Sequence, residues 1–288
     1  MQSFGIAPPG FRLPGDTRVG AVRLQVSDLA RSLRFYETVL GFRVLSEEGN
    51  VAALGNQEEG TPLLWLHGGN DVMPSSGGKL GLYHFAILLP DRPSLARLSR
   101  HLAAQRLRTG MADHLVSEAI YLSDPDHLGI EVYSDRPRES WNSEGRELVM
   151  ATEPLDVSDL LNDAGDRAWE GLPAGTTIGH IHLHVADLRG AERFYHSSLG
   201  FDKVVWSYPG ALFFSAGGYH HHLGTNVWGS GRPADENEAR LLSWQLHLPH
   251  NDALEGAAQS LRSGGFTAER SDGGWTTEDP WGTRLELR

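Results

Sequence analysis

The chain repeats itself, and this repeat constrains its fold more than any other feature of its 288 residues. Residues 19–42 (VGAVRLQVSDLARSLRFYETVLGF) and 178–201 (IGHIHLHVADLRGAERFYHSSLGF) align without a gap, at an offset of 159 residues. Similarity at a fixed offset indicates that one supersecondary unit is used more than once. The first expectation is therefore a fold built from copies of one unit.

A second pair of segments extends the repeat. Residues 83–98 (YHFAILLPDRPSLARL) match 242–257 (LSWQLHLPHNDALEGA) at the same offset of 159. The segments SDPDHLGIEV at 123–132 and EDPWGTRLEL at 278–287 also match, but at an offset of 155. A short deletion therefore lies in the loop between this segment and the preceding one. The chain therefore contains four units in two halves.

Each unit has the same predicted plan. An alternating strand comes first, and in two units Asp28 or Asp187 then stands where its carboxylate can cap a helix. Leu-Gly-Phe ends that helix, with Gly as the residue after the last turn. Short apolar strands separated by Gly, Asn or Pro follow. The plan is β-α-β-β-β, which predicts an α+β fold of four units.

The segment 136–175 breaks the repeat and is predicted to be a linker with one short helix near Asp156–Ala164. The predicted division is an N-terminal tail at 1–16, a first two-unit domain at 17–135, the linker at 136–175 and a second two-unit domain at 176–288.

Composition excludes several classes of function. The formal net charge of −12 disfavours nucleic acid or an anionic membrane as the main partner. Cysteine is absent, which excludes disulfides, thiolate nucleophiles and zinc–cysteine sites, whereas 14 histidines are available for a metal. The N-terminal sequence has no signal-peptide pattern and no stretch of about 18 apolar residues occurs, so a cytoplasmic protein is expected.

The pattern D-L-x-x-(A/S)-x-x-F-Y-x-x-x-L-G-F in a βαβββ unit resembles the vicinal oxygen chelate superfamily. That superfamily includes glyoxalase I, extradiol ring-cleaving dioxygenases, fosfomycin-resistance enzymes and bleomycin-binding proteins. The resemblance implies two domains with open, cup-like mixed β-barrels, in which paired units surround one metal. It also implies that the ligands come from the first strand of each unit and from the last strand of one or both.

The four units do not all carry metal-binding residue types at the ligand positions. They are Ala21, His84, His180 and Ser243 on the first strands, and Glu131 and Glu286 on the last strands of units two and four. Units one and four thus lack a competent set. Units two and three supply two imidazoles and one carboxylate, which suit non-haem Fe(II) and, nearly as well, Mn(II). The expected metal site, His84, Glu131 and His180, is therefore shared between the two halves.

A further motif resembles the extradiol dioxygenase signature. His114, Tyr121 and Glu131 follow its spacing H-x5–7-hydrophobic-Y-x2-(D/E/N/T/A)-P-x-(G/P)-x2–3-E, while His127 stands where Gly or Pro is usual and Ala112 also departs from the pattern. The resemblance implies that Glu131 binds iron and that Tyr121 and His114 contact the hydroxyls of a catechol.

Two clusters of histidine complete the expected site. His180, His182 and His184 alternate on one strand face, where His180 is the expected ligand and His182 a cavity residue. The resemblance also implies an acid/base histidine at the segment 220–222. His222 is the first choice for that role and His221 the second.

The expected function is an extradiol, meta-cleaving dioxygenase that resembles the two-domain bacterial catechol-2,3-dioxygenases of this superfamily. It would use Fe(II) to insert O2 into a catechol and form a 2-hydroxymuconic semialdehyde-type product. Three alternatives stay open: another metalloenzyme such as a glyoxalase, a non-enzymatic binder of an aromatic ligand or drug, and a dioxygenase whose metal lies within the second half on His180, His222 and Glu286. The sequence allows a homo-oligomer without fixing the oligomeric state.

Overall fold

The computed structural model describes residues 4–288 and contains the four predicted βαβββ units. Unit one consists of β1 (Arg18–Val26), α1 (Leu29–Phe35) continued by a π-helical turn (Tyr36–Leu40), β2 (Arg43–Glu48), β3 (Val51–Gly55) and β4 (Leu64–Gly68). Unit two consists of β5 (Gly81–Leu88), α2 (Arg92–Ala104), β6 (Gly110–Asp113), β7 (Ser117–Ser123) and β8 (Gly129–Asp135).

The segment 136–175 interrupts the repeat, and the second half then follows the order of the first. This segment carries a 3₁₀ turn (Arg138–Ser140), a two-stranded sheet of β9 (Ser143–Glu144) and β10 (Glu147–Leu148), and the predicted short helix α3 (Val157–Asn162). Unit three consists of β11 (Thr177–His184), α4 (Leu188–Ala191) with a π-helical turn (Glu192–Ser198), β12 (Asp202–Val205), β13 (Ala211–Ser215) and β14 (Leu223–Asn226). Unit four consists of β15 (Arg240–His247), α5 (Asn251–Ser263), β16 (Glu269–Ser271), β17 (Gly274–Glu278) and β18 (Arg284–Leu287).

The helix boundaries arise from the residues that the repeat conserves between its copies. The Asp28 and Asp187 side chains each accept a hydrogen bond from the backbone N–H three residues later, at 2.9 and 2.6 Å. Gly41 and Gly200 end the same helices with φ angles of 78° and 104°, which other residues rarely adopt. Both predictions from the sequence are confirmed.

The units pair across the two halves. One eight-stranded mixed sheet has the order β16-β17-β18-β15-β1-β4-β3-β2, so it joins units four and one. The other has the order β12-β13-β14-β11-β5-β8-β7-β6 and joins units three and two. In each sheet the first strands of two units lie side by side and antiparallel. The α+β fold of four units is confirmed, and each sheet takes one unit from 17–135 and one from 176–288.

Equivalent hydrogen bonds tie the two sheets together. The Tyr36 hydroxyl of unit one donates to the Asp124 carboxylate of unit two at 3.1 Å. The Tyr195 hydroxyl of unit three donates to Asp279 of unit four at 2.8 Å. All four side chains are buried, so the repeated Phe-Tyr and Asp-Pro positions connect consecutive units that belong to different sheets. Within residues 4–288, no helix is long and apolar enough to cross a membrane.

Candidate active site

Three side chains of ligand type meet on the concave face of the sheet formed by units two and three. His84 Nε2 lies 3.0 Å and His180 Nε2 lies 3.1 Å from the same oxygen, Glu131 Oε2. The ligand atoms of the three residues all lie within 4.8 Å of one another. Each residue is at most 5% exposed. The structure thus brings together the three residues that the sequence selected.

The strand register explains why these residues meet. Strand β5 lies between β8 and β11, and Ala86 on β5 pairs with Glu131 on one side and His180 on the other. Residues paired across a sheet point to the same face, and so does His84, two positions before Ala86. Because Ala86 has only a methyl group, it leaves the space above this row of residues open to its larger neighbours.

A glycine makes room beside the row. A Cβ atom on Gly179 would lie 1.8 Å from the Tyr133 hydroxyl, so only glycine fits before His180. The Tyr133 ring packs against His180 with 4.9 Å between ring centroids. The repeated Gly at this position therefore helps to set the orientation of His180.

The electrostatics of the three residues fit a bound cation. Burial lowers the pKa of His180 to about 4, although Glu131 opposes this shift, so the imidazole is neutral at neutral pH. Burial would raise the pKa of Glu131, but contacts with His180 and His84 outweigh it and hold that pKa well below its usual range. Within residues 4–288 no Lys or Arg pairs with this carboxylate. A buried carboxylate without a full cationic partner is costly.

One unused imidazole atom supports the same interpretation. His84 Nε2 is buried and close to Glu131 but makes no hydrogen bond in the described part of the chain. Neutral imidazole nitrogens and a carboxylate are donors that a divalent transition metal accepts. The residues present therefore fit a metal.

Tyr121 and His114 form a hydrogen-bonded pair next to Glu131. The Tyr121 hydroxyl lies 2.6 Å from His114 Nε2, and His114 Nδ1 lies 2.7 Å from the Ala151 carbonyl oxygen. Since a carbonyl oxygen only accepts, the Nδ1–H of His114 donates to it, and Nε2 of a neutral ring accepts from tyrosine. Burial and the nearby Glu131 raise the pKa of Tyr121 well above its usual value, so the hydroxyl keeps its proton.

These side chains line a cavity of about 290 Å³. Its wall contains the three ligand-type residues, both members of the hydroxyl–imidazole pair, and an aromatic and apolar remainder: Tyr83, Gly110, Met111, Ala112, Met150, Ala151, Thr152, His182, Tyr208, Phe213, His221 and Trp228. A cavity of about 550 Å³ adjoins it and shares Tyr83, His84, Tyr121 and Trp228 with it. The inner cavity has the size and the apolar walls of a small-molecule site.

His182 lies in the cavity wall, as the sequence predicted, but Asn226 holds it. The Asn226 Oδ1 atom accepts from the Trp228 backbone N–H at 3.1 Å, which leaves its Nδ2 to donate to His182 Nε2 at 2.9 Å. The same Oδ1 atom lies 2.6 Å from His184 Nδ1. Burial lowers the pKa of His182 well below its usual value. His182 is therefore a neutral wall residue.

The structure separates the two candidate histidines of the segment 220–222. His221 lines the inner cavity, with its ring centroid 4.1 Å from that of His180. His222 lines a different cavity, of about 200 Å³, and its Nδ1 accepts from the Ala216 N–H at 3.2 Å. The preference for His222 over His221 therefore disagrees with the geometry. The segment bends before β14 begins, and His221 is the one that lines the same cavity as Glu131.

The alternative metal site within the second half is not formed. Glu286 lies in the other sheet, on β18, and is paired with its own neighbours. It accepts from Ser243 Oγ at 2.8 Å and from Arg288 at 2.7 Å. Units one and four were expected to lack a competent set of metal ligands. In the structure, a serine hydroxyl and a guanidinium both donate hydrogen bonds to the Glu286 carboxylate.

The departure from the signature at His127 leaves the turn intact. His127 has a φ angle of 65°, in the region that favours glycine, and its repeat counterpart Gly282 has a φ angle of 84°. Asp124 supports the turn by accepting from the N–H groups of Asp126 and Leu128, both at 2.9 Å. Histidine therefore adopts the backbone conformation of a glycine here.

Several residues of the cavity were not predicted from the sequence. Tyr83, Tyr208, Phe213 and Trp228 reach it from four different segments. Outside the cavity wall, the alternation of β8 could have suggested Tyr133 and Asp135, because both share a strand face with Glu131. No comparable signal marks the four aromatic residues, since only the folding of distant strands and loops brings them together.

Comparisons with known proteins agree with this fold and site. The family model described as the Glyoxalase/Bleomycin resistance protein/Dioxygenase superfamily matches residues 18–132 and 177–287. A catechol-2,3-dioxygenase of Bacillus subtilis (strain 168) is 43% identical over 272 residues, which cover 92% of this chain and 94% of the relative.

Solved structures show the same fold at low sequence identity. A crystal structure of a protein from Bacillus subtilis subsp. subtilis str. 168 has a TM-score of 0.66 at 13% identity and covers 96% of this chain and 86% of its own. Glyoxalase I from Zea mays has a TM-score of 0.54 at 15% identity and covers 94% and 92%. At such identities the likeness concerns the fold alone.

Proposed function

Because the chain belongs to the Glyoxalase/Bleomycin resistance protein/Dioxygenase superfamily, we propose that it is an extradiol dioxygenase of the catechol 2,3-dioxygenase type. Its substrates are a catechol and O2, and its product is a 2-hydroxymuconic semialdehyde. The observation that carries the proposal is the convergence of His84, Glu131 and His180 at the wall of a small apolar cavity. The relative that is 43% identical carries the name of the same activity.

We propose that His84, Glu131 and His180 hold Fe(II) on one side. Two imidazoles and one carboxylate are the set of non-haem Fe(II) oxygenases, and they leave positions free for other ligands. Mn(II) suits nearly the same set, so the choice of iron over manganese goes further than the choice of ligand residues. When bound, the metal supplies a cationic centre that brings catechol oxygens and O2 together and favours the ionised catechol.

Tyr121 and His114 are proposed to orient the ring hydroxyls. Tyr121 pairs with Glu131 across β7 and β8, so its hydroxyl lies beside the ligand carboxylate. The fixed proton on His114 Nδ1 leaves Nε2 as an acceptor toward Tyr121. A substrate hydroxyl in the cavity would meet the Tyr121 hydroxyl, which His114 already holds in place from the other side. This reduces the entropic cost of ordering the two hydroxyl groups.

His221 is proposed as the acid/base in place of His222. Its ring faces the cavity next to His180, and burial together with its histidine neighbours lowers its pKa well below the usual value. A neutral imidazole beside the substrate can take a catechol proton and return it later in the reaction.

The test is anaerobic loading with Fe(II), followed by catechol and oxygen. We expect uptake of one O2 for each catechol consumed, a yellow ring-cleavage product, and two labelled oxygen atoms in that product when ¹⁸O2 is used. The matched variants His84→Gln and His247→Gln change a proposed ligand and a histidine of the other sheet, respectively. Only the first should lose iron and activity.

Other results would point to the alternatives. Metal binding without oxygen uptake on any catechol, together with turnover of a glutathione hemithioacetal, would indicate a glyoxalase-like enzyme. Binding of aromatic ligands by protein that takes up no metal would indicate a binder. The cytoplasm is proposed as the place of action.

A further inference from the structure

We propose that Asp135 and His220 are positioning residues that hold His221 in a single tautomer, with its unprotonated Nε2 available to the cavity. This inference deepens the proposed function and rests on it, because it concerns the histidine assigned there as the acid/base. Neither Asp135 nor His220 lines the inner cavity, so both act through His221.

The three residues form a continuous hydrogen-bonded chain. His220 Nε2 lies 2.9 Å from Asp135 Oδ1, and His220 Nδ1 lies 2.7 Å from His221 Nδ1. The side chain of His220 is fully buried, whereas that of Asp135 is 29% exposed. This series of hydrogen bonds therefore runs from a partly exposed carboxylate to an imidazole in the cavity wall.

The direction of each hydrogen bond follows from the carboxylate. An ionised Asp135 can only accept, so His220 Nε2 carries a proton and donates it. In a neutral His220 the Nδ1 atom is then unprotonated and must accept from His221 Nδ1–H. In a neutral His221 the remaining nitrogen, Nε2, has no proton. One carboxylate thus sets the tautomer of an imidazole two hydrogen bonds away.

The free atom of His221 is in the place where a base is needed. His221 Nε2 makes no hydrogen bond within residues 4–288, while its ring lines the cavity and lies against His180. The opposite tautomer would present an N–H group there, which cannot accept a catechol proton. Holding the correct tautomer is the role that a carboxylate plays behind the histidine of hydrolytic triads, and its loss there is costly in rate.

The surrounding structure supports Asp135 as the anchor of this chain. The residues Glu131, Tyr133 and Asp135 alternate on β8, so one strand supplies the ligand carboxylate and the anchoring carboxylate on the same face. The Tyr219 hydroxyl also donates to Asp135 Oδ1, at 3.1 Å, and lies 2.7 Å from the Tyr133 hydroxyl. Asp135 Oδ1 therefore accepts two hydrogen bonds, of which only the one from His220 leads to His221.

The first measurement is the tautomer itself, in metal-free protein with ¹⁵N-labelled histidine. Long-range ¹H–¹⁵N correlation spectra distinguish protonated from unprotonated ring nitrogens, and His221→Gln identifies the signals of His221. We expect the Nδ1–H form in the natural protein and a mixture of forms in Asp135→Ala. Tyr219→Phe is the matched control, because it removes the other donor to the same oxygen and leaves the pair with His220.

The second measurement is steady-state kinetics of the iron-loaded enzyme. Asp135→Ala should lower kcat by roughly 10–100-fold, the usual range for residues that orient a functional group from behind, and change KM by less than about threefold. Tyr219→Phe should keep kcat within about threefold. His220→Phe keeps an aromatic ring in the buried position, and it should reproduce the loss if Asp135→Ala does not fold.

The outcomes separate the two levels of the proposal. Retention of the Nδ1–H form of His221 in both Asp135→Ala and His220→Phe would overturn the inference, and so would an unchanged kcat in these variants. A mixed tautomer in the variants with no catechol turnover by the natural protein would support the hydrogen-bonded chain and sink the proposed function instead.

Discussion

Removal of the Glu131 charge should weaken the metal-free protein and abolish most of the stabilisation that a bound metal provides. In the metal-free protein this carboxylate is buried between two imidazoles, with no Lys or Arg paired to it in residues 4–288. Contacts with these imidazoles hold the pKa of Glu131 well below its usual range, so the ionised form contributes to the stability of the folded state at neutral pH. We therefore expect metal-free Glu131→Gln to be less stable than the natural protein by about 1.5–3 kcal/mol.

Metal should then stabilise the natural protein much more than the variant. A metal at about 100 times its Kd stabilises the folded state by about 2.7 kcal/mol. For a chain of this size that corresponds to a rise in Tm of roughly 5–10 °C. A loss of affinity of about 100-fold, the upper end for residues that merely support a ligand, reduces the stabilisation to about 0.4 kcal/mol. Glu131→Gln should therefore show a metal-induced rise of about 1 °C.

Thermal unfolding under anaerobic conditions, with and without Fe(II), measures both effects. Glu286→Gln is the matched control, since Glu286 holds the same repeat position but is bonded to Ser243 and Arg288. It should keep the whole metal-induced rise in Tm. A full rise in Glu131→Gln, or its loss in Glu286→Gln, would refute the assignment of the metal to units two and three.

Three further outcomes are expected. Tyr121→Phe should retain iron but lower kcat by roughly 10–100-fold, measured by product formation, because the hydroxyl held by His114 is lost; an unchanged kcat would contradict its role. Burial lowers the pKa of His222 to about 3, below its unfolded value, so stability present above pH 6.5 should fall as the pH drops toward 3, by at most about 5 kcal/mol; urea unfolding of His222→Gln should show a shallower dependence, and an identical slope would exclude His222 as the source. His127→Gly should be more stable than His127→Ala by about 1 kcal/mol in the same assay, because a φ angle of 65° favours glycine over residues with a Cβ atom; equal stabilities would mean that the turn relaxes.

The sequence by itself determined the unit and the chemistry available to it. The repeat, the Asp caps and the glycines after the helices are local signals, because a cap or a positive φ angle involves only a few neighbouring residues. The ligand types could also be read directly, since only His84, His180 and Glu131 combine two imidazoles with a carboxylate at the repeated positions. The pairing of units two and three followed from those residue types and is confirmed by the sheet order.

The choice between adjacent histidines could not be made from the pattern. Alternation places adjacent residues on opposite sides only in an extended strand, whereas this segment bends before β14 begins. It also does not show which of His221 and His222 lines the cavity. That depends on how β14 and its preceding loop lie against β11, where a hydrogen bond from the Ile181 N–H to the His222 carbonyl oxygen sets the register. The preference for His222 over His221 therefore had no physical basis in the sequence.

Only the tertiary structure decided how the site is completed. The row from Tyr121 through Glu131 and Ala86 to His180 exists because four strands from two halves of the chain take one register. Strand periodicity predicts the sheet face on which each residue lies, but the partner strand and its register depend on long-range packing. For the same physical reason, the chain from Asp135 to His221 is visible only once β8 and the loop before β14 are folded together.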